Sequence, residues 1–413
     1  MVMSEEYKNN HYVPVWYQKR FVPNPSSDHG LYYLDLNPPK FTDSKGNAHT
    51  GRAVRKFSFS QCFTEKDLYT ISFHNIESQK IEKYFFGDVD TKGRLAVDWC
   101  ANFSHPWDGS SFINELLFYM TTQKLRTPKG LAWLSEQIHK GKEYDKNNVL
   151  SHMIGLRQMY SAVWMECVWL IADASKSDTK FIVSDHPVTV YNRRCEPKSY
   201  KCRTYNDPDV RLHASHTFFP LSLDKVLILT NLSWVRDPYQ NELHMRPNPG
   251  LFRSAIKKIT DIQTSRFLSE EEVRQINYII KSRAHKYIAA AKEEWLYPEK
   301  YVSESDWSKY GQGYLLMPDP RGVVYGGQIM MGHKDGTVSA FDEYGRRPGQ
   351  TGYVGFSKSG VGPDWDTFHR FQGEFARLFG PYRRGRSADP IKMDNERDSD
   401  EYHAYHLSLE KKN

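Results

Sequence analysis

Near the N-terminus, short runs of aromatic and β-branched residues alternate with turn formers. GLYYLDL (30–36), AVRKFSFSQCF (53–63) and DLYTISF (67–73) read as strands on that pattern. HYVPVWYQKRF (11–21) reads as extended chain around Pro14, which fixes φ and lacks a donor. From residue 112 the period lengthens. NELLFYMTTQKLR spaces its apolar residues as a helix face does and stops at Thr127-Pro128, because the residue before Pro disfavours helical ψ. A short helix over 131–139 is expected next. NNVLSHMIGLRQMYSAVWMECVWLIADA (147–174) then predicts one long, apolar, central helix capped by Asn147 or Asn148.

The period returns to that of strands in KFIVSDHPVTVYN (180–192), with a polar break at Asp185-His186-Pro187, and in HTFFPLSLDKVLILTNLS (216–233). Ser269 with Glu272 three residues on has the capping-box spacing and opens a helix predicted to run to about residue 295. Strands, helices, strands and helix in that order predict an α+β fold for a main domain over 1–300. Half of the 26 glycines then fall between Gly311 and Gly362, which predicts a β-rich appendage over 301–388, with one closing helix at 368–380. The charged stretch 389–413 is expected to be a disordered tail.

Composition narrows the picture only a little. A chain of 413 residues buries a substantial core without staples. Its net charge of +6 permits an anionic partner without requiring one, and 14% aromatic residues suit base stacking as well as packing. The five cysteines contain no CxxC pair, which points away from a zinc knuckle or a disulfide framework. The polar start MVMSEEYKNN and the absence of a long uncharged apolar run predict a cytoplasmic protein outside the membrane. No Walker, GxSxG or HExxH signature appears.

The order of HYVP with Phe21, QKLRTP, FIVSDHPV, FPLSLDKVLIL and a late helix containing Ile276, Asn277 and Ala284 resembles a bacterial family, domain of unknown function 4238. Its members share HYVPxxYLxxF, QxxRTP, SDxPV and FPLSP in that order, and the resemblance runs over about residues 11–297. Leu223 stands where the family has Pro after PLS, and Trp16-Tyr17-Gln18 where it has FYL. The resemblance implies which polar residues recur and brings no reaction with it. Scattered polar motifs in such bacterial families suggest a phage-defence or toxin system.

Five residues are the candidates for a site. Gln123 and Arg126, three apart at a helix end, share a face and could bind substrate, the guanidinium as a fork for phosphate; equally, Arg126 could cap carbonyls. Asp185 sits at a strand end, where a scaffold aims reactive groups and where Asx-turns are also common. His11 is the recurring imidazole, a general acid/base or a buried hydrogen-bonding post. Glu166, alone in its apolar run, needs a cation partner, with Arg126 and His11 the candidates.

The expectation is that these motifs converge on one site. If they do, His11, Asp185 and Glu166 would be catalytic, Asp185 and Glu166 could hold Mg²⁺ or Mn²⁺, and the protein would be a phosphodiester hydrolase, in particular a nuclease. Two alternatives stay open: a non-catalytic nucleotide or anionic-ligand binding and sensor module, and an N-glycosidic hydrolase acting on NAD or nucleosides. Nucleic acid or a nucleotide is the expected ligand, and the C-terminal appendage the expected contact for a protein partner or a second copy.

Overall fold

A computed structural model describes residues 9–66, 68, 71–73, 76–78, 86–103, 110–139, 146–200, 202, 205–239, 245, 262–303, 307–309, 316–323, 329–341, 346–351, 353, 363–387 and 399–410. The fold is α+β. In chain order the strands are β1 (Asn9–His11), β2 (Gly30–Asp35), β3 (Lys40–Thr42), β4 (Ala48–Thr50), β5 (Val54–Ser58), β6 (Thr64–Lys66), β7 (Ile71–Phe73), β8 (Ile76–Ser78), β9 (Val168–Asp173), β10 (Val183–Ser184), β11 (Thr189–Asn192), β12 (Ser215–Pro220), β13 (Lys225–Thr230), β14 (Gln263–Phe267), β15 (Tyr287–Ala290), β16 (Ile329–Gly332), β17 (Val338–Phe341) and β18 (Arg386–Ser387). The helices are α1 (Val15–Gln18), α2 (Gly87–Ala101), α3 (Ser110–Leu125), α4 (Pro128–His139), α5 (Lys146–Glu166), α6 (Leu232–Arg236), α7 (Glu270–Arg283), α8 (Pro363–Phe379) and α9 (Asp400–Glu410).

Two sheets organise these elements. One has the order β11-β12-β13-β9-β14-β18, antiparallel except for the β9–β14 pair; the other, antiparallel throughout, has the order β10-β15-β2-β5. A large apolar core joins α2, α3 and α5 to both sheets. Tyr17 pins the N-terminal segment to it: its hydroxyl donates to Pro220 O at 2.5 Å, and its ring stacks on Phe219 at 5.5 Å.

Three departures from the sequence reading have clear causes. First, HYVPVWYQKRF is not extended throughout: after His11 the chain winds through α1 and a 3₁₀ turn over Lys19–Phe21, because the carbonyl of Pro14, the residue before α1, accepts the N–H groups of Tyr17 and Gln18. Second, the long central helix ends at Glu166, and VWLIAD becomes β9, paired along its whole length with β13 and buried on both faces. An apolar run buried all round cannot be assigned to helix or strand by periodicity, and here sheet pairing decides. Third, α7 starts at the expected capping box, with Ser269 Oγ accepting from Glu272 N–H and the Glu272 carboxylate accepting from Ser269 N–H, but it stops at Arg283. The next residues are needed as β15, between β10 and β2.

After residue 301 the expected glycine-rich hairpin is present as β16–β17, and α8 spans the expected closing helix. The last strand, β18, adds to the edge of the six-stranded sheet, and Phe368, Phe371 and Phe375 of α8 pack with Val168, Trp234 and Val235. The charged end holds α9, whose His406 and Leu409 are buried, where the sequence predicts disorder. Gly373 of α8 admits the close approach: a Cβ there would lie 2.7 Å from Glu410 N.

Candidate functional site

The segment QKLRTPK joins α3 to α4 and sends its side chains in two directions. Gln123 and Arg126 do share one side, as their spacing predicts. Gln123 Nε2 donates to Tyr12 O at 2.6 Å, while its Oε1 accepts from Arg126 Nε at 2.9 Å and Nη2 at 2.6 Å. Arg126 is 1% exposed; Nη2 also lies 2.8 Å from Asp90 Oδ1 on α2, and the guanidinium faces the Phe86 and Tyr119 rings at 5.4 and 5.9 Å. HYVP and QKLRTP therefore do meet, through a backbone carbonyl.

Lys124, Thr127 and Lys129 take the other direction. Thr127 is the N-cap of α4: its Oγ1 accepts from Gly130 N–H at 3.2 Å, with Pro128 at the first helical position, where its missing N–H costs nothing. Gly130 is required by closeness, since a Cβ would lie 2.3 Å from Lys124 O and 2.7 Å from Leu125 O. Across from this turn, the β10–β11 connection supplies His186 and the following loop supplies Asp207. Lys124 Nζ and Lys129 Nζ each lie 2.6 Å from one oxygen of the Asp207 carboxylate. Lys129 Nζ also donates to Arg283 O at 2.7 Å.

His186 completes the cluster, with Nε2 2.9 Å from Asp207 Oδ2 and Nδ1 2.8 Å from Thr127 Oγ1. One neutral tautomer satisfies both contacts: Nε2–H donates to the carboxylate and Nδ1 accepts the Thr127 hydroxyl hydrogen. Burial, reinforced by the charge of Lys124, holds His186 down to about 3, so it is neutral at pH 7. Burial also lowers Lys124 against the pull of Asp207. On Asp207 burial acts upward, but Lys124, Lys129 and His186 together keep its carboxyl well below the usual range. Two ammonium groups thus share one carboxylate, leaving an excess of positive charge. Arg283 adds to it, since its charge bears on Lys124.

Three residues of this cluster, Lys124, His186 and Asp207, line a cavity of about 640 Å³, within the usual range for small-molecule sites. Trp133 of α4, Met159 and Tyr160 of α5, and Tyr205 line it too, with Gln137, His152 and Asp209 as further polar groups. Arg211 also faces it, already paired with Asp209 through Nη2 to Oδ2 at 2.6 Å.

The remaining candidates lie elsewhere. Asp185, 3% exposed, accepts the backbone N–H of His285 at 2.8 Å, Lys286 at 2.6 Å and Tyr287 at 2.8 Å. It is the anchor that turns the end of α7 into β15. Burial pushes its carboxyl upward against those three donors, which favour the ionised form. His11 ends β1, half-buried, with Nε2 3.1 Å from Ser60 O; burial lowers it below the usual imidazole value. Glu166 is the last residue of α5 and is buried. With both Asp185 oxygens occupied by N–H donors, the Asp185–Glu166 pair does not suit a divalent cation. Among the described residues no group of three or more His, Cys, Asp or Glu could hold a metal.

The motifs also place Asn277, whose side chain donates to Lys180 O at 2.8 Å and accepts from Ile182 N–H at 3.2 Å, holding the strand that leads to Asp185. Residues 114–294 match the family model described as Protein of unknown function (DUF4238). No curated protein and no solved structure matches the chain. The DUF4238 match bears out the resemblance and takes in Lys124, Lys129, His186 and Asp207, while HYVP precedes it. Lys124, Lys129 and Asp207 escaped the sequence reading because 78 to 83 residues separate the lysines from the aspartate. Their sole signal is that Lys124 and Lys129 flank the recurring turn.

Proposed function

We propose that the chain binds an anionic small molecule carrying a planar ring, of the nucleotide class, in the cavity beside Lys124. The supporting observation is that two buried ammonium groups share the Asp207 carboxylate, and that Asp207 and one of them, Lys124, line a cavity together with Trp133, Tyr160 and Tyr205. An anion entering there meets uncompensated charge at low local dielectric, and the aromatic walls offer faces for a ring. The protonation states suit binding: His186 is neutral, and its tautomer points no free N–H at the cavity.

The hydrolase reading needs His11, Asp185 and Glu166 to act with Arg126 and Gln123. Asp185 and Gln123 are occupied by backbone groups, and Arg126 by Gln123 and Asp90, so their hydrogen-bonding capacity is spent on the fold. Binding without turnover is the better-supported of the two. Isothermal titration with AMP, ATP, NAD, adenosine and inorganic phosphate tests it. Lys124→Met should weaken AMP about tenfold or more, the worth of a charge-assisted hydrogen bond, and leave adenosine little changed. Equal effects on both, or no binding by any of them, would remove the proposal. Incubation with RNA, single- and double-stranded DNA and NAD, with and without EDTA, addresses the alternatives: polymer cleavage would restore the phosphodiesterase reading, and nicotinamide release the N-glycosidic one.

A further inference from the structure

Of the two ammonium groups that share Asp207, Lys124 is the one that lines the cavity, with its side chain 7% exposed. The two are held differently. Lys129 Nζ has two oxygen acceptors, Asp207 Oδ1 at 2.6 Å and Arg283 O at 2.7 Å. Lys124 Nζ has Asp207 Oδ2 at 2.6 Å, and its next neighbour is a nitrogen, His186 Nε2, at 3.3 Å. That nitrogen carries the hydrogen it gives to Asp207, so it cannot accept from an ammonium. A neutral Lys124 amine would instead turn its lone pair to the same N–H. Burial acts in that direction, and the charges of Lys129 and Arg283 add to it against the pull of Asp207. When Lys124 gives up its proton, Asp207 keeps Lys129 and His186 as donors, so no carboxylate is left unpaired. A buried amine beside a second cation, bordering a cavity, is the setting in which lysine becomes a nucleophile.

We propose that Lys124 is a Schiff-base site, at which its amine condenses with the carbonyl group of an aromatic aldehyde or ketone held in the cavity among Trp133, Tyr160 and Tyr205. The resting ammonium first passes one proton to water. The Nζ lone pair then attacks the carbonyl carbon, the C=O π pair moves to oxygen, and one amine proton passes to that oxygen, giving a carbinolamine. The nitrogen lone pair next forms the C=N bond as the C–O bond breaks. The departing hydroxide takes up the proton released at the start and leaves as water. One ammonium and one carbonyl compound become one iminium and one water, with no oxidant or reductant.

The charge of the cluster is the same before and after. Asp207 Oδ2, at 2.6 Å from Nζ, pairs with the ammonium at the start and with the iminium at the end, so the product keeps a counter-ion in the buried setting. Covalent capture goes beyond the anion-binding reading and does not depend on it, since a neutral aldehyde meets the same amine.

The test incubates the folded full-length protein at pH 7 with a limiting amount of pyridoxal, an aromatic aldehyde without a phosphate. Borohydride then adds hydride to the iminium carbon and fixes the bond as a secondary amine, and the labelled peptides are mapped by mass. At pH 7 a lysine of ordinary pKa near 10.4 is a free amine in only about one molecule in 2,500, so a site with a larger free fraction stands out. Lys124 should carry at least about ten times the label of exposed lysines such as Lys45 and Lys334, each tenfold gain corresponding to one unit of pKa. Lys124→Arg should remove that label. Wild-type protein unfolded in urea should lose the preference for Lys124, which reads the same point without a variant. Label spread evenly over the lysines of the folded protein, label concentrated at a different lysine, or a preference for Lys124 that persists in urea would each overturn the proposal. Because pyridoxal carries no anionic group, capture without AMP binding would fail the nucleotide reading alone, and AMP binding without capture would fail this one alone.

Discussion

Asp207→Asn keeps the shape of the side chain and removes the carboxylate that, among the described residues, pairs with both Lys124 and Lys129. In the wild type each ammonium lies 2.6 Å from one carboxylate oxygen, and the Asp207 side chain is only 9% exposed. Removing one member of a buried ion pair costs about 3–5 kcal/mol, because the remaining charge stays buried. An upper bound comes from the lysines themselves: releasing a proton at pH 7 from a group of ordinary pKa near 10.4 costs about 1.4 kcal/mol per unit, or roughly 4–5 kcal/mol. Lys124 is already lowered by burial, so it is the group that should give up its proton. The variant should therefore lose about 3–5 kcal/mol at pH 7.

The sign of the pH dependence follows. In Asp207→Asn the folded-state value of Lys124 falls further below its unfolded value, so between those two values the unfolded chain binds more protons and stability rises with pH. The deficit against wild type should narrow by about 1.4 kcal/mol per pH unit as the medium is taken from 7 towards 10. Urea titration followed by tryptophan fluorescence, at pH 7 and 9, measures both quantities. Lys124→Met in the same background should recover part of the loss at pH 7. A loss below about 1 kcal/mol, or a deficit that does not shrink at pH 9, would show that Asp207 does not hold two charged lysines.

Two further outcomes test the wider reading. Asp185→Asn retains one acceptor oxygen for three backbone donors, so it should cost about 2–5 kcal/mol and raise amide exchange at residues 285–287; a catalytic role would instead abolish turnover with stability kept, which calorimetry distinguishes. His186 and His216 are each held near 3 by burial, with nearby cations adding to the effect. The unfolded chain therefore takes up protons from about 6.5 downward that the fold refuses, and stability is lost as pH falls through that window. Each should cost about 2 kcal/mol between pH 7 and 5, and His216→Gln should remove its share of the slope; an unchanged slope would contradict it.

Much of the molecule was legible along the chain. The two strands flanking Asp185, the two from His216 onward, the capping box at Ser269, the stop at Thr127-Pro128 and the helix closing near Phe379 are marked by residues close to one another in the chain, so local pattern suffices to place them. The recurring polar motifs also marked residues that the fold brings together: Gln123 reaches Tyr12, and His186 reaches Thr127. What each polar group does there was decided by tertiary structure alone. VWLIAD is a strand because β13 pairs with it, and the chain after Arg283 is a strand because Asp185 collects its N–H groups. A side chain's freedom to meet a ligand depends on which partners, dozens of residues away, have already taken its hydrogen bonds. In QKLRTPK that accounting turns Gln123 and Arg126 inward as struts and leaves Lys124 at the cavity, an outcome set by Asp90, Tyr12 and Asp207 and invisible in the spacing of the segment itself.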